Sequence, residues 1–441
     1  MKFINGVIFG FIALVTAMPA FAQDEATLFT NVRVWDGTSE KLSGQDVLVE
    51  GNMIKAVGEN LNSGGATVID GGGKTLMPGL IDMHSHLCLE EGMLEGLKFD
   101  QMAMGAFTAH NMADYLQQGF TTARDAGCNI LGIAKAVHQG RIPGPRLYPS
   151  GGFLSQTGGH ADTGMFGDQP GYVDDLERHG FGYITDGRDE VMKAARQNLR
   201  AGATQIKMMA GGGVASEFDP IHMAQFTEDE LRAGVEVASD YGTYVTVHAY
   251  HDLSVNRAID AGVRCIEHNF LVSEDTIRRM KKEGVALSLQ SVMSMEVFAN
   301  PEQITFFTPD QKAKATQVYQ GAVQMITWAF EHDLIIVTGG DMFGAAYGVR
   351  QADNLRVIPE KIPGVTPYQV LKTATSTAAE VLTWSGGMNP YKYGSLGTIA
   401  KGGYADIIIV DGNPLETLDA LQRNKVQLVM KDGVIYKDTM Q

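Results

Sequence analysis

The sequence is poor in cysteine, with Cys88, Cys128 and Cys265 the only three in 441 residues. None belongs to a C-x-x-C pair, so neither a disulfide framework nor a zinc ribbon is indicated. The odd count leaves open either one disulfide or buried free thiols. Basic residues are outnumbered by acidic ones, 35 Lys and Arg against 51 Asp and Glu, giving a formal charge of −16. That balance argues against nucleic acid and anionic membrane surfaces as partners. Beyond the N-terminus no apolar run approaches the roughly 20 residues of a spanning helix. There is no internal repeat, no low-complexity linker and no Gly-rich dinucleotide fingerprint after the first central strand. At 44% hydrophobic and 20% charged residues, the remainder has the composition of an ordinary globular chain.

The two ends differ from the middle. Lys2, an apolar stretch from Val7 to Met18, Pro19 and then Ala20-Phe21-Ala22 together spell a secretory signal peptide over residues 1–22. The expected outcome is cleavage before Gln23 and export to a bacterial periplasm or beyond; as a membrane anchor the apolar run is too short. Short β-rich runs follow at Leu28–Val34, Asp46–Glu50 and Met53–Val57, with Gly51-Asn52 as a hairpin signal. The C-terminal part repeats that texture at Asp406–Val410, Val426–Met430 and Val434–Tyr436. Residues 23–77 and 386–441 are therefore expected to form one small β-sandwich domain from both ends of the chain.

Between them, residues 78–385 alternate apolar strands with amphipathic helical stretches. The pattern predicts strands at Leu80–His84, Thr121–Asp125, Arg146–Ser150, Gln205–Met209, Tyr244–His248, Arg264–His268, Ala286–Gln290 and Leu334–Thr338. Helical stretches such as Asp189–Ala201, Glu228–Tyr241, Leu253–Ala261, Glu274–Glu283 and Asp310–His332 lie between or after them. The expected fold class is α/β, a (β/α)₈ TIM barrel carrying the small β-sandwich; a doubly wound open sheet is the alternative.

Chemistry-bearing residues sit where a barrel would use them, at strand C-terminal ends. His84 and His86 are two apart and so face one way, as paired metal ligands must. Imidazole suits zinc and related divalent ions. Lys207 lies among apolar neighbours in the fourth strand, His248 ends the fifth, His268 ends the sixth, and Asp341 follows the eighth. Taken singly each has an ordinary alternative: a hydrogen-bonded structural histidine, a lysine reaching solvent, an aspartate capping a helix. As an ordered set they point to a metal centre.

These segments resemble the amidohydrolase superfamily, in its binuclear subtype with a carboxylated lysine. The match runs through Met77–His86, Gln205–Gly213, Val247–Tyr250, Cys265–His268, Thr338–Asp341 and Gly394–Gly412. It is similar above all to the Xaa-Pro dipeptidase-like and imidazolonepropionase-like branch, which includes enzymes hydrolysing ochratoxin. The resemblance implies two divalent ions, zinc foremost. His84, His86 and Asp341 would hold one and His248 with His268 its neighbour, while a CO₂-derived carboxylate on Lys207 bridges both. The residue types make sense of it. A lysine adds CO₂ only when neutral, which an apolar strand end near two cations favours. A water shared by two divalent ions ionises near neutral pH, and Asp341 would carry its proton to the leaving amine.

On the substrate side the same resemblance makes His160, in Gly151–Asp162, a catalytic or substrate contact to a carbonyl. Tyr250 shares a strand face with His248 and would offer its hydroxyl to a substrate carboxylate or carbonyl, with simple packing as the alternative. Gly211-Gly212-Gly213 is read as allowing close backbone approach to a ligand. Phe153, Met165, Phe166, Met342, Phe343 and Tyr347 are read as an apolar or aromatic pocket, with packing the alternative for several of them. The expected activity is hydrolysis of the amide bond of small dipeptides or N-acyl amino acids, ochratoxin-like amides included. A cyclic amidohydrolase of the imidazolonepropionase kind is the enzymatic alternative, and a non-catalytic binding protein on the same fold the other. Relatives often form homo-oligomers.

Overall fold

The computed structural model describes residues 26–89, 100–169, 171–342, 348 and 350–440, and the expected signal peptide lies outside them. Strands β1 (Ala26–Thr30), β2 (Arg33–Val34), β3 (Ser43–Gly44), β4 (Asp46–Glu50), β5 (Met53–Gly58), β6 (Thr67–Asp70) and β7 (Thr75–Pro78) come first. The middle supplies β8 (Leu80–Ser85), β9 (Phe120–Asp125), β10 (Arg146–Pro149), β11 (Phe153–Ser155), β12 (Gly182–Ile184) and β13 (Ile206–Met209). It continues with β14 (Val245–His251), β15 (Cys265–Leu271), β16 (Ala286–Leu289) and β17 (Ile336–Thr338). Strands β18 (Ile407–Val410), β19 (Val426–Lys431) and β20 (Val434–Asp438) are last.

The central strands form an α/β architecture of parallel sheets, in the orders β10-β9-β8 and β12-β11-β13-β14-β15-β16-β17. Backbone hydrogen bonds join the two sheets at both edges. Thr204 N–H donates to the Pro149 carbonyl at 2.8 Å beside β13, and Asp341 N–H to the His84 carbonyl at 2.7 Å beyond β17. Central strands such as β8, β9 and β16 are buried throughout, which is why they read as continuous apolar runs. Two short strands were not expected. β11 and β12 run only three residues each beside glycines, too short to show alternation, and β11 lies within Gly151–Asp162. Among the described residues no helix is long and apolar enough to cross a membrane.

The helices begin where the local chemistry starts them. Thr227 with Glu230 and Thr308 with Gln311 form reciprocal capping boxes at helices Glu228–Asp240 and Pro309–Glu331. Gly262, in the left-handed region at φ 96°, ends Asp252–Ala261.

Outside the centre, the sheets β5-β4-β1-β6 and β20-β19-β18-β7-β2-β3 draw strands from both ends of the chain. Phe29, Val47, Ile54, Ile407, Ile409 and Leu428 share one apolar core. The tip of the β4–β5 hairpin meets that of β19–β20, where the Asn52 side-chain amide donates to Asp432 at 3.0 Å. Asp432 and Gly433 both have positive φ, the Asp-Gly type I′ signature of a two-residue hairpin. Cys88 and Cys128 form a disulfide across a separation of 40 residues, and Cys265 is a buried thiol.

Candidate metal centre

Strand β8 delivers the first ligands. His84 and His86 project to the same side with ring centroids 5.2 Å apart. Their Nε2 atoms lie 3.4 and 3.2 Å from Asp341 Oδ1. Asp341 reaches them because Thr338-Gly339-Gly340 lets the end of β17 press against β8. A Cβ on Gly339 would collide with the His84 backbone, and one on Gly340 with the Gln351 side chain. Asp341 itself sits at φ 51°. Below them Asp82, fully buried, accepts from His84 N–H at 2.8 Å and Gly340 N–H at 3.1 Å, tying the two ligand-bearing turns together.

His268 is set by a break in strand alternation. It has φ 76° and the next residue, Asn269, φ 63°, a conformation costing about 1–3 kcal/mol per residue. As a result two successive residues both reach His84. Glu267 accepts from its Nδ1–H at 2.8 Å, and the His268 ring lies 5.1 Å from its own. His268 Nδ1 is 3.9 Å from Asp341 Oδ2, and the His248 ring lies 4.5 Å from that of His268. His248 Nε2 faces the Gly212 carbonyl at 3.2 Å, which leaves Nδ1 with the free lone pair. Lys207 is buried as the second residue of β13, without a hydrogen bond or salt bridge among the described residues. Its electrostatic neighbours include Glu267, Asp341 and Arg124, together with His84, His86, His248 and His268.

The electrostatics suit cation binding. Burial, then Lys207, pushes His84 down to about 4, and burial holds His248 and His268 well below the usual histidine range. Neutral imidazole is the ligating form. Burial would raise Asp341, but His84, His86 and His268 outweigh it and keep the carboxylate ionised. Burial pushes the Lys207 ammonium downward, toward the neutral amine that carboxylation needs, with Glu267 and Asp341 opposing. The ligand atoms of His84, His86 and Asp341 all lie within 4.8 Å of one another. Two imidazoles and one carboxylate, with further imidazoles alongside, fit a divalent ion.

The profile of the Amidohydrolase family matches residues 75–436. The chain belongs to that family. Ochratoxinase of Aspergillus niger is 32% identical over 382 residues, covering 82% of this chain and 75% of that enzyme. Among solved structures, a prolidase complexed with N-methylphosphonate-L-proline is similar at TM-score 0.85 and 32% identity, over 94% of this chain and 100% of that one. A Xaa-Pro dipeptidase with bound methionine in its active site gives 0.82 and 27% identity, again over 94% and 100%. This amidohydrolase is therefore a hydrolase acting on amide bonds, of the branch its motifs indicate, and its neighbours imply a TIM barrel.

Around the ligands, several groups carry roles that sequence reading missed. Glu267 is fully buried between His84 and Arg124, whose guanidinium donates to it at 2.6 Å. Its only sequence signal is adjacency to His268, and alternation would have placed it on the opposite face. Asp125, pushed up to about 6 by burial, accepts from Leu87 N–H at 2.9 Å, and the disulfide fastens the same two loops beyond His86.

The substrate-side expectations fare unevenly. The His160 ring stacks on His248 with centroids 4.1 Å apart. Tyr250 is buried, stacks on His268 at 5.3 Å, and its hydroxyl has no hydrogen bond among the described residues. The glycine run needs correcting: its open sides are filled by the chain itself. A Cβ on Gly212 would strike the Pro220 carbonyl, and one on Gly213 the His160 ring. The apolar pocket is corrected too. Phe153 and Met342 are core residues, whereas Met165 and Phe166 are exposed beside an 830 Å³ cleft that Tyr172, Tyr183 and Phe218 also line. Phe343 and Tyr347 lie outside the described residues.

Proposed function

We propose that this amidohydrolase is an exported, binuclear metal-dependent enzyme. It would cleave the amide bond of dipeptides or N-acyl amino acids with an apolar or aromatic residue, ochratoxin-like amides among them. Its fold would be a closed (β/α)₈ barrel over 78–385 with a β-sandwich from 23–77 and 386–441. The observation that carries the reading is the convergence of His84, His86, His248, His268, Lys207 and Asp341 at the ends of parallel strands. The relatives named for ochratoxin and Xaa-Pro hydrolysis support the substrate class.

His84, His86 and Asp341 would hold one ion, His248 and His268 its neighbour, and a carboxylated Lys207 would lie between. Divalent ions there, zinc foremost, would lower the pKa of a water molecule and polarise the scissile carbonyl. Asp341, held as a carboxylate, would accept the proton from the attacking water and return it to the leaving nitrogen. His160 would contact the substrate carbonyl, and the unpaired Tyr250 hydroxyl its carboxylate or carbonyl. The buried disulfide supports export, because such bonds persist in oxidising compartments.

A single-ion centre of the cyclic-amidohydrolase kind is the second reading. It is favoured by the fact that, among the described residues, only His84, His86 and Asp341 form a tight acid-bearing cluster. Metal content and a substrate panel separate the readings. Two equivalents per chain and release of amino acid from dipeptides or N-acyl amino acids with apolar C-terminal residues are expected. One equivalent with ring opening would favour the second reading, and no turnover of any apolar member would refute the proposed specificity. Loss of residues 1–22 from protein recovered outside the cytoplasm tests export.

A further inference from the structure

His160 is held by a strap that follows β13, residues 211–221. Asp219, fully buried, places Oδ2 2.8 Å from His160 Nδ1 and also accepts Gly213 N–H at 2.6 Å. Ser216 Oγ, which accepts Ala161 N–H at 2.7 Å, lies 2.8 Å from the same Nδ1. A carboxylate at that distance cannot face a lone pair, so Nδ1 must carry the proton. Nε2 is then the atom left over, and it has no hydrogen bond among the described residues. Burial would raise the Asp219 carboxyl, but His160, Gly213 and Lys314 outweigh it and keep it ionised.

The strap is itself tethered from a distant helix. Lys314, in Pro309–Glu331, is 4% exposed and donates to the carbonyls of Ser216 at 3.0 Å and Asp219 at 2.8 Å. Its Nζ stands 3.6 Å from Asp219 Oδ1, which otherwise has no hydrogen-bond partner. Gln311, one turn earlier, donates its side-chain amide to the Ala215 carbonyl. The glycine run completes the seat, since only a residue without Cβ leaves room for the imidazole over Gly213.

We propose that Asp219, anchored by Lys314, is a positioning residue that fixes His160 as the Nδ1–H tautomer and presents Nε2 to the substrate. This rests on the amide-hydrolase reading above, in which His160 touches the substrate, and goes beyond it by assigning the pair behind that histidine. Outer partners that orient metal-ligating histidines are commonly worth about 10–100-fold in affinity or activity, and the same scale is expected for the partner of His160.

The test uses metal-loaded full-length protein. Asp219→Asn is expected to lower kcat by about 10–100-fold with little change in KM or in metal per chain. In a His160→Asn background the same substitution is expected to cost nothing further, because the two residues act as one unit. Lys314→Met should move kcat in the same direction and Lys314→Arg should restore most of it. Long-range ¹H–¹⁵N correlation of the His160 ring should show a protonated Nδ1 in the wild type and a tautomer mixture in Asp219→Asn, whether or not a substrate has been found. The proposal is overturned by an unchanged tautomer and kcat in Asp219→Asn, by an equal loss in the His160→Asn background, or by depleted metal. If Asp219→Asn does not fold, unchanged kcat in Lys314→Met overturns it. A wild type inert toward the whole amide panel would refute the functional reading, while the tautomer measurement would still decide the positioning.

Discussion

Replacing Glu267 with alanine should damage stability and metal binding together, by separable amounts. Glu267 and Arg124 are both 0% exposed and joined at 2.6 Å, and this is the one salt bridge Arg124 makes among the described residues. Removing the carboxylate strands a guanidinium whose remaining side-chain bonds go to the Met83 carbonyl, the Tyr244 hydroxyl and Cys265. An uncompensated buried charge costs about 3–5 kcal/mol. For a chain of 441 residues, the usual unfolding entropy per residue turns that into a Tm about 3–5 °C lower. The second loss is local: His84 Nδ1 no longer has its acceptor, so Nε2 is no longer aimed at Asp341, and metal affinity should fall about 10–100-fold. Calorimetry of chelator-treated protein reads the first, and competition with a chromophoric chelator the second. Glu267→Gln separates them. Its single acceptor oxygen goes to Arg124, so its amide N–H faces His84 Nδ1 and favours the wrong tautomer. Metal affinity should then fall as far as in the alanine variant while Tm falls less. Glu267→Ala protein that melts within about 1 °C of wild type and binds metal equally well would refute the argument.

Other expectations test separate parts of the fold. Lys207→Ala should lose bound metal as well as activity; retention of both would remove the bridging role. Without reductant, the unfolded protein should titrate a single thiol, Cys265. Reducing the Cys88–Cys128 bond, which closes a 40-residue separation, should lower stability by about 4 kcal/mol on the chain-entropy model, and the melting curve should show it. Gly339→Ala places a Cβ against the His84 backbone, so a loss of about 1–3 kcal/mol and weaker metal binding are expected by calorimetry and chelator competition. Burial would raise Asp432, but Arg146 and Lys431 outweigh it and the carboxyl is lowered. A lowered carboxyl stabilises above its unfolded pKa of about 4 and loses that contribution as pH falls through the folded value. Asp432→Asn should therefore flatten the acid limb of stability against pH, measured by denaturant midpoint.

How much of this was legible depends on how far each feature depends on its neighbours in sequence. His84 and His86 could be read from two-residue periodicity alone, His248 and Asp341 from apolar runs that stop, and Lys207 as a charge inside such a run. Even the family was legible, because its motifs are local. Glu267, Asp219 and Asp82 were not, since their work is done with His84, His160 and Gly340, which are 183, 59 and 258 residues away. The pairing of Cys88 with Cys128 was equally silent, as spacing alone cannot distinguish a bridge from two buried thiols. The errors have a common source as well. Gly211–Gly213 and the apolar loop residues were read as facing a ligand, because a motif near a site invites that reading. In fact the glycines make room for His160 and Pro220, Phe153 and Met342 fill the core, and Met165 and Phe166 face outward.

His268 shows most clearly why local rules fail at such a place. Alternation along β15 would send Glu267 and His268 to opposite faces, and the left-handed turn at His268 and Asn269 brings both to His84. Sequence patterning can find a strand that ends near a site. It cannot find a residue whose conformation is disfavoured on its own and is held only because its neighbours are already in place. The same holds for Asp341, whose positive φ is kept by an N–H bond to the His84 carbonyl and by glycines that let the strands approach. His268 and Asp341 are thus two candidate ligands in disfavoured conformations, at the point where local preference and the needs of the site diverge.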